Sequence, residues 1–334
     1  MKTINLLFLS VGRRCELLKD FRTSLGDAVR IIVTDHSIYA PALHFADAGY
    51  QVPLITDPTY LPTILSICEK ERIDGVTTLI DPEIALLAEN RERFEELGIT
   101  VLAPYAETAR LCFDKFEMYR YLTEKGIRTT RTWGSIESFH TDLEAGRIAF
   151  PVFAKPRRGS GSVGAGRIED LPALEAAFAR DPSLIAQELM TGRDMDADVY
   201  VDTVSHEVAA IFAKEKISTV IGGANKTISV KDEALFSFVR EVIGVLDFNG
   251  PLDMDLFCRD GSYYLSEINP RFGGAYLHAY GAGVDFPKLI YRNIAEKAAN
   301  EPQIGTYEED VVMMMYDSVV ITRKADIEKG LRSL

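Results

Sequence analysis

The 334-residue chain carries 50 acidic and 37 basic side chains, a net charge of −13, and is 47% apolar and 26% charged. That is the composition of an ordinary globular protein, long enough for two or three domains with real cores. The acid surplus disfavours nonspecific nucleic-acid binding, which needs excess cations, although local basic clusters can still serve a small polyanion. Cys15, Cys68, Cys112 and Cys258 are scattered and form no paired motif, so they read as reduced thiols of a cytoplasmic protein. The apolar run from Met1 to Leu9 is too short to span a membrane, and its arginines follow rather than precede it.

Residues 1–105 alternate strand and helix signals. Ile4–Leu9 is an apolar strand, Gly12-Arg13-Arg14 turns into a helix through Leu25, and Val29–Thr34 is a second strand ending at Asp35. Gly75–Ile80 reads as a strand, Pro82–Leu97 as a helix and Ile99–Leu102 as another strand. The pattern predicts a parallel sheet covered by helices. Ligands on such sheets lie beyond the carboxyl ends of the strands, here Ser10–Arg14, Asp35–Tyr39 and Asp81–Glu83. Arg13 and Arg14 can hold an anionic group there or simply sit on the surface. A nicotinamide-dinucleotide site is not expected, because the first strand lacks the GxGxxG turn.

Glu107–Lys125 has helical spacing, with Gly126 as its C-terminal cap and Lys115 following Asp114 within it. Phe150–Lys155 is a strand leading into a glycine loop. Gly159, Gly161, Gly164 and Gly166, with Ser160 and Ser162 between, let main-chain N–H groups close over phosphate oxygens. A Walker loop would need Gly-Lys-Ser/Thr, and a protein kinase would place its lysine after the glycines. Ser183–Glu188 is the next strand, and Asp194, Asp196 and Asp198 alternate with Met195, Ala197 and Val199 on another. Val208–Lys216 and Thr227–Val230 look like strands flanking a polar loop, Ser218–Lys226. Lys214, Lys216 and Lys226 are candidate partners for phosphate or carboxylate, Lys226 foremost because it falls in the loop. Asp232–Leu246 is an amphipathic helix.

The most informative stretch is GPLDMDLFCRDGSYYLSEINPRFGG, from Gly250 to Gly274. Leu252–Cys258 and Ser262–Ile268 read as a hairpin, its apolar face formed by Leu252, Met254, Leu256, Tyr264 and Ile268. A two-residue turn would place Asp255 opposite Ser266, on the wrong face. A three-residue loop with Gly261 left-handed makes Asp253 oppose Glu267, so that Asp253, Asp255, Glu267 and Asn269 share one face. Such oxygen ligands, followed at once by Arg271, suit hard cations and a phosphate chain. Helices are expected over Ala275–Ala282 and Phe286–Ala299, and the Met-Met-Met-Tyr run after Asp310 as core packing.

Together, Asp-Lys at 114–115, strand-Lys-Pro with the glycine loop, Gln187-Glu188, and Glu267-x-Asn-Pro-Arg resemble the ATP-grasp superfamily. The flavour is that of the carbamoyl-phosphate-synthase-large-subunit-like branch, with a single ATP-grasp module. The resemblance implies a chain of mixed α/β and α+β class. Residues 1–105 would be a Rossmann-like pre-ATP-grasp domain that binds substrate, and 106–190 the small ATP-grasp subdomain with Lys155 and the glycine loop. Residues 191–310 would be the C-terminal subdomain with the metal site, and 311–334 a tail without an assigned role.

By the same resemblance, ATP would be held by Lys115, Lys155, Gly159, Ser160, Gly161 and Ser162. The hinge Gln187, Glu188, Leu189 and Met190 would read adenine, and Asp196 would contact the ribose. Asp255, Glu267 and Asn269 would bind two Mg²⁺ ions, replaceable by Mn²⁺, while Arg271 and Lys226 act catalytically. The implied activity is ADP-forming ligation of a carboxylate to an amine or other nucleophile through an acyl phosphate. No nucleic-acid or membrane partner is implied, and homodimers are common among relatives. Three other readings stay open: a carbamoyl-phosphate-synthase-like half using bicarbonate and ammonia, a noncatalytic ATP-binding module, and a dehydrogenase built on the N-terminal sheet.

Overall fold

The computed structural model describes residues 2–159, 164–220 and 223–332. Within them the strands form three sheets. The first is built from β1 (Ile4–Leu9), α1 (Cys15–Leu25), β2 (Val29–Asp35), β3 (Ala48–Gln51), α2 (Tyr60–Glu71), β4 (Gly75–Thr78), α3 (Asp81–Glu89), α4 (Arg91–Glu95) and β5 (Thr100–Val101). Its five strands are parallel, in the order β3-β2-β1-β4-β5. β1 is buried along nearly its whole length, as the inner strand of a two-sided parallel sheet must be. The expected helix over 82–97 is divided at Asn90.

The expected helix over 107–125 is also two helices, α5 (Ala106–Phe113) and α6 (Lys115–Glu124). Asp114 between them is extended, and its side chain accepts from the Glu117 N–H. A carboxylate free to cap a new helix end competes with continuing the old one. Lys115 is thereby the first residue of α6.

A four-stranded antiparallel sheet follows: β6 (Thr132–Trp133), α7 (Ile136–Glu144), β7 (Val152–Pro156), β8 (Gly166–Ile168), α8 (Leu171–Arg180) and β9 (Leu184–Glu188). Its strand order is β6-β9-β7-β8, and it closes its own apolar cluster around Trp133, Phe139, Val152, Leu174 and Phe178.

The largest sheet contains β10 (Arg193–Val201), β11 (Val208–Val220), β12 (Gly223–Val230), α9 (Glu233–Ile243), β13 (Gly250–Arg259), β14 (Ser262–Asn269), α10 (Tyr276–Gly281), α11 (Phe286–Tyr291), β15 (Gln303–Ile304) and β16 (Val312–Met314). Its main path is β14-β13-β10-β11-β12-β16, with β15 beside β11. α9 buries Leu235, Phe236, Phe238, Val239, Val242 and Ile243, a stripe of helical period, and packs on this sheet. The largest core cluster joins the α1 side of the first sheet to this one.

Three further expectations change. Residues 218–220 and 223–226 are strand rather than loop, for β11 and β12 pair with two register shifts up to Val220 and Gly223. The helix after Phe286 ends at Tyr291 in a π-turn. The methionine run is an edge strand, with Met314 65% and Tyr316 86% exposed, and not core. The chain then crosses through α12 (Lys324–Gly330) to pair Leu331 with Gly49. Among the described residues no helix is long and apolar enough to cross a membrane.

Candidate active site

The β13–β14 hairpin turns through only two residues, Asp260 and Gly261, both at positive φ (52° and 73°). This corrects the three-residue loop: Arg259 pairs with Ser262, the register that alone would send Glu267 to the wrong face. A bulge at Ser266 restores it. Leu256 pairs with Leu265, yet Asp255 pairs with Glu267 and Asp253 with Asn269. The extra residue has moved from the turn into the strand, where a bulge re-aims side chains beside a functional face. Asp253, Asp255, Glu267 and Asn269 do share one face. On the other face Tyr263 and Leu265 replace the expected Tyr264, which lies half-buried beneath the Arg259 guanidinium.

The sheet register extends this face into a charged row. Glu267, Asp255, Asp196 and Lys214 lie side by side across β14, β13, β10 and β11, with Asn269, Asp253 and Asp198 in the next row. Lys115 Nζ stands 3.3 Å from Glu267 Oε1 and Lys155 Nζ 3.6 Å from Oε2. Lys115 also donates to the Gly159 carbonyl at 2.6 Å, tying α6 to the start of the glycine loop. Burial and the neighbouring Lys115 bring Lys155 below the ordinary lysine range, against the pull of Glu267. Asp255 pairs with Lys216, which also reaches Asp194 at 3.2 Å. Burial would raise Asp255, but Lys216 holds it below the usual carboxylate value.

Lys214 is fully buried between Asp196, at 2.7 Å, and Asp198. The Asp196 carboxylate is thus committed inside the sheet, 3% exposed. Asp253 Oδ1 has no hydrogen-bond partner among the described residues and lies under Gly273. Burial, with Asp196 close by, pushes Asp253 well above the carboxylate range; burial likewise raises Asp198 to about 6.

Arg271 is clamped by Asp81 at the start of α3, Nε to Oδ1 at 2.6 Å and Nη2 to Oδ2 at 3.3 Å. Sequence reading placed Asp81 at a strand's carboxyl end but gave it no role; position was the only signal. Asp114 accepts from Arg157 at 2.6 Å and from Arg158 at 3.1 Å, a link across to the four-stranded sheet. At the hinge, Gln187 is buried and donates to Thr132 Oγ1 at 2.8 Å, while the Glu188 N–H and carboxylate bond the Arg131 backbone. Leu189 and Met190 are half-buried just beyond β9. Lys226 is exposed on β12 and has no ion-pair partner among the described residues. Ser160, Gly161 and Ser162 lie outside the described residues.

Two pockets meet where these parts converge. Both are lined by Cys112, Lys115, Glu267 and Ile268; one continues to Thr132 and Gln187, the other to Asp81, Gly159 and Asn269. The donor set fits magnesium: two carboxylates and an amide oxygen on one face are hard ligands, and lysines stand ready for phosphate oxygens.

Two family models match the chain: a PylC-like N-terminal domain over residues 6–102 and an ATP-grasp domain over residues 112–275. The D-alanine–D-alanine ligase of Mycolicibacterium vanbaalenii is 27% identical over 173 residues, 43% of this chain and 47% of that protein. The enzyme of the same name from Mycobacterium tuberculosis H37Rv is 26% identical over 176 residues, 44% and 47% of the two chains. The match thus spans about half the length of these curated relatives. Among solved structures, N5-carboxyaminoimidazole synthetase from Staphylococcus aureus with ADP superposes with a TM-score of 0.71 at 15% identity, covering 90% of this chain and 80% of that one. L-amino acid ligase from Bacillus licheniformis gives 0.66 at 19% identity, covering 88% and 74%. At such identities the likeness is one of fold. The chain carries an ATP-grasp domain over residues 112–275 behind a PylC-like N-terminal domain over residues 6–102.

Proposed function

We propose that the chain is an ATP-dependent ligase that joins a carboxylate to an amine, or to another nucleophile, releasing ADP and phosphate. The observation that carries this reading is the meeting of Lys115 and Lys155 on Glu267, beside Asp255 and Asn269 on one sheet face. ATP-grasp enzymes generally use ATP and Mg²⁺. Asp255, Glu267 and Asn269 would hold two magnesium ions, which neutralise phosphate charge when bound. Lys115, Lys155 and the amides from Gly159 through Ser162 would fix the triphosphate, with adenine at Gln187–Met190.

A carboxylate oxygen of the substrate attacks the γ-phosphorus, the bond from that phosphorus to the β–γ bridging oxygen breaks, and ADP leaves with the electron pair. Positioning and charge stabilisation do most of the work in such a transfer. The amine lone pair then attacks the acyl carbon, phosphate departs, and the amine proton passes to water. Arg271, fixed by Asp81, would stabilise the transferred phosphoryl group. No histidine is needed as a base. His278 is buried, with Nδ1 on Thr227 Oγ1 and Nε2 donating to the Val311 carbonyl, and burial brings its pKa down to about 4.

The test is to supply ATP, Mg²⁺ and pools of carboxylates and amines and to measure ADP. ADP formed only with a particular carboxylate–amine pair supports the reading. Dependence on bicarbonate and ammonia would point to a synthase-like half, and silence with every pool would leave a nucleotide-binding module.

A further inference from the structure

We propose that Arg14, together with Arg271, forms the seat for the substrate carboxylate, and that its neighbour Arg13 takes no part. The inference rests on the ligase reading above. In the sequence the two arginines are indistinguishable, but the fold separates them. The Arg13 side chain is 86% exposed and, among the described residues, reaches only Asp317, at 3.6 Å. Arg14, half-buried at the N-terminal end of α1, turns inward across to the loop that follows β14. There its Nη2 donates to the Phe272 carbonyl at 3.1 Å and to the Gly273 carbonyl at 2.5 Å.

The Phe272 carbonyl also accepts from Arg271 Nη1, at 3.2 Å. Two guanidiniums, one from the N-terminal sheet's side and one from the metal strand, therefore abut at a single oxygen. Arg271 has its counter-charge in Asp81. Arg14 has no carboxylate within ion-pair distance among the described residues, and its Nε and Nη1 have no hydrogen-bond partner there. Asp198 and Asp253 lie near enough to be felt, but Asp198 is taken by Lys214 and Asp253 faces Asn269. Burial and the adjacent Arg271 bring Arg14 down to about 10, a direction that a bound anion reverses.

A half-buried guanidinium with free donors beside a second one is a poor arrangement by itself and a good one around a shared anion. A carboxylate, planar with two oxygens, matches the guanidinium fork. The place is right for the reacting group, because Arg271 follows Asn269 by two residues on the same strand end. The two glycines beyond it keep the floor low: a Cβ at Gly274 would come within 3.9 Å of Arg14 Nη1.

The experiment compares Arg14→Gln, Arg14→Lys and Arg13→Gln in ADP release with Mg²⁺-ATP and the carboxylate and amine pools. Binding of a non-hydrolysable ATP analogue is measured by calorimetry on each. Arg14→Gln is expected to raise the half-saturating carboxylate concentration about tenfold or more, the loss typical of a charge-assisted hydrogen bond, with ATP half-saturation unchanged. Arg14→Lys, which keeps the charge and guards against a folding defect, should fall between. Arg13→Gln should match the parent protein within about twofold, as exposed charges do. The proposal is overturned if Arg14→Gln leaves carboxylate dependence unchanged, if it weakens ATP equally, or if Arg13→Gln behaves the same way. Failure of the parent protein to bind the ATP analogue would instead sink the ligase reading itself.

Discussion

Replacing Glu267 by glutamine removes one negative charge from between two lysines without changing the shape of the side chain. The lysines are 9% and 12% exposed, and their Nζ atoms lie 3.3 and 3.6 Å from the carboxylate oxygens. At an effective dielectric near 20, each contact carries about 5 kcal/mol of attraction before dehydration is counted. Dehydrating three charges offsets most of that. Stripping the carboxylate from such a pair nevertheless costs about 3–5 kcal/mol, since the cations are left facing one another. Glu267→Gln should therefore lower the urea midpoint of unfolding by roughly 1–2 M, at a slope of about 2–3 kcal/mol per molar. It should also abolish ADP release. Adding Lys155→Met to Glu267→Gln should cost less than the two single losses combined, with a coupling of about 1–2 kcal/mol. An unchanged midpoint in the single variant, or strict additivity in the double, would refute this account of the site's charges. ADP release at the parental rate would refute the metal assignment.

Asp81→Asn keeps the start of α3 but breaks the two-point grip on Arg271; ADP release should slow about tenfold or more while ATP half-saturation holds, by steady-state kinetics. Gly273→Ala places a Cβ 2.5 Å from Asp253 Oδ1 and 3.0 Å from Asp198 Oδ1, so it should destabilise by about 1–3 kcal/mol in chemical denaturation. His278 is brought down to about 4 from 6.5 by burial and by Lys214, so below pH 6.5 the unfolded chain binds the extra proton. Its stabilising contribution is complete above pH 6.5 and is lost as pH falls toward 4. Asp198, raised to about 6 by burial, has the opposite sign, its contribution fading as pH rises through 6. The informative quantity is thus the difference between the parent protein and His278→Gln, which should shrink between pH 6.5 and 4 in urea titrations.

The face on which Asp255 and Glu267 meet was legible in the sequence because strand periodicity and an apolar opposite face constrain it strongly. The bulge at Ser266 was not, since an added residue in the turn and one in the strand give the same alternation at the far end. The break at Asp114 was hidden for a related reason: apolar spacing runs across it, and only the cap reveals two helices. Lys226 attracted attention as a loop lysine, yet the pairing of β11 with β12 sets it on an exposed strand, while Lys216 reaches Asp255. What a linear pattern cannot contain is which distant element turns up opposite a side chain. Asp81 on Arg271 and Arg14 on the Phe272 carbonyl join residues far apart in the chain, and nothing local marks them.

The four-stranded sheet keeps a separate apolar interior, and its ties to its neighbours include ion pairs, Arg157 and Arg158 to Asp114 and Arg259 to Glu188, beside the hydrogen bond from Lys115 to the Gly159 carbonyl and backbone bonds between residues 128–130 and Leu265. Ion pairs of this kind are screened by salt, so the attachment of this sheet to its neighbours is expected to weaken as ionic strength rises. Lys115 and Lys155 ride on opposite sides of that seam, and Glu267 is the latch they share.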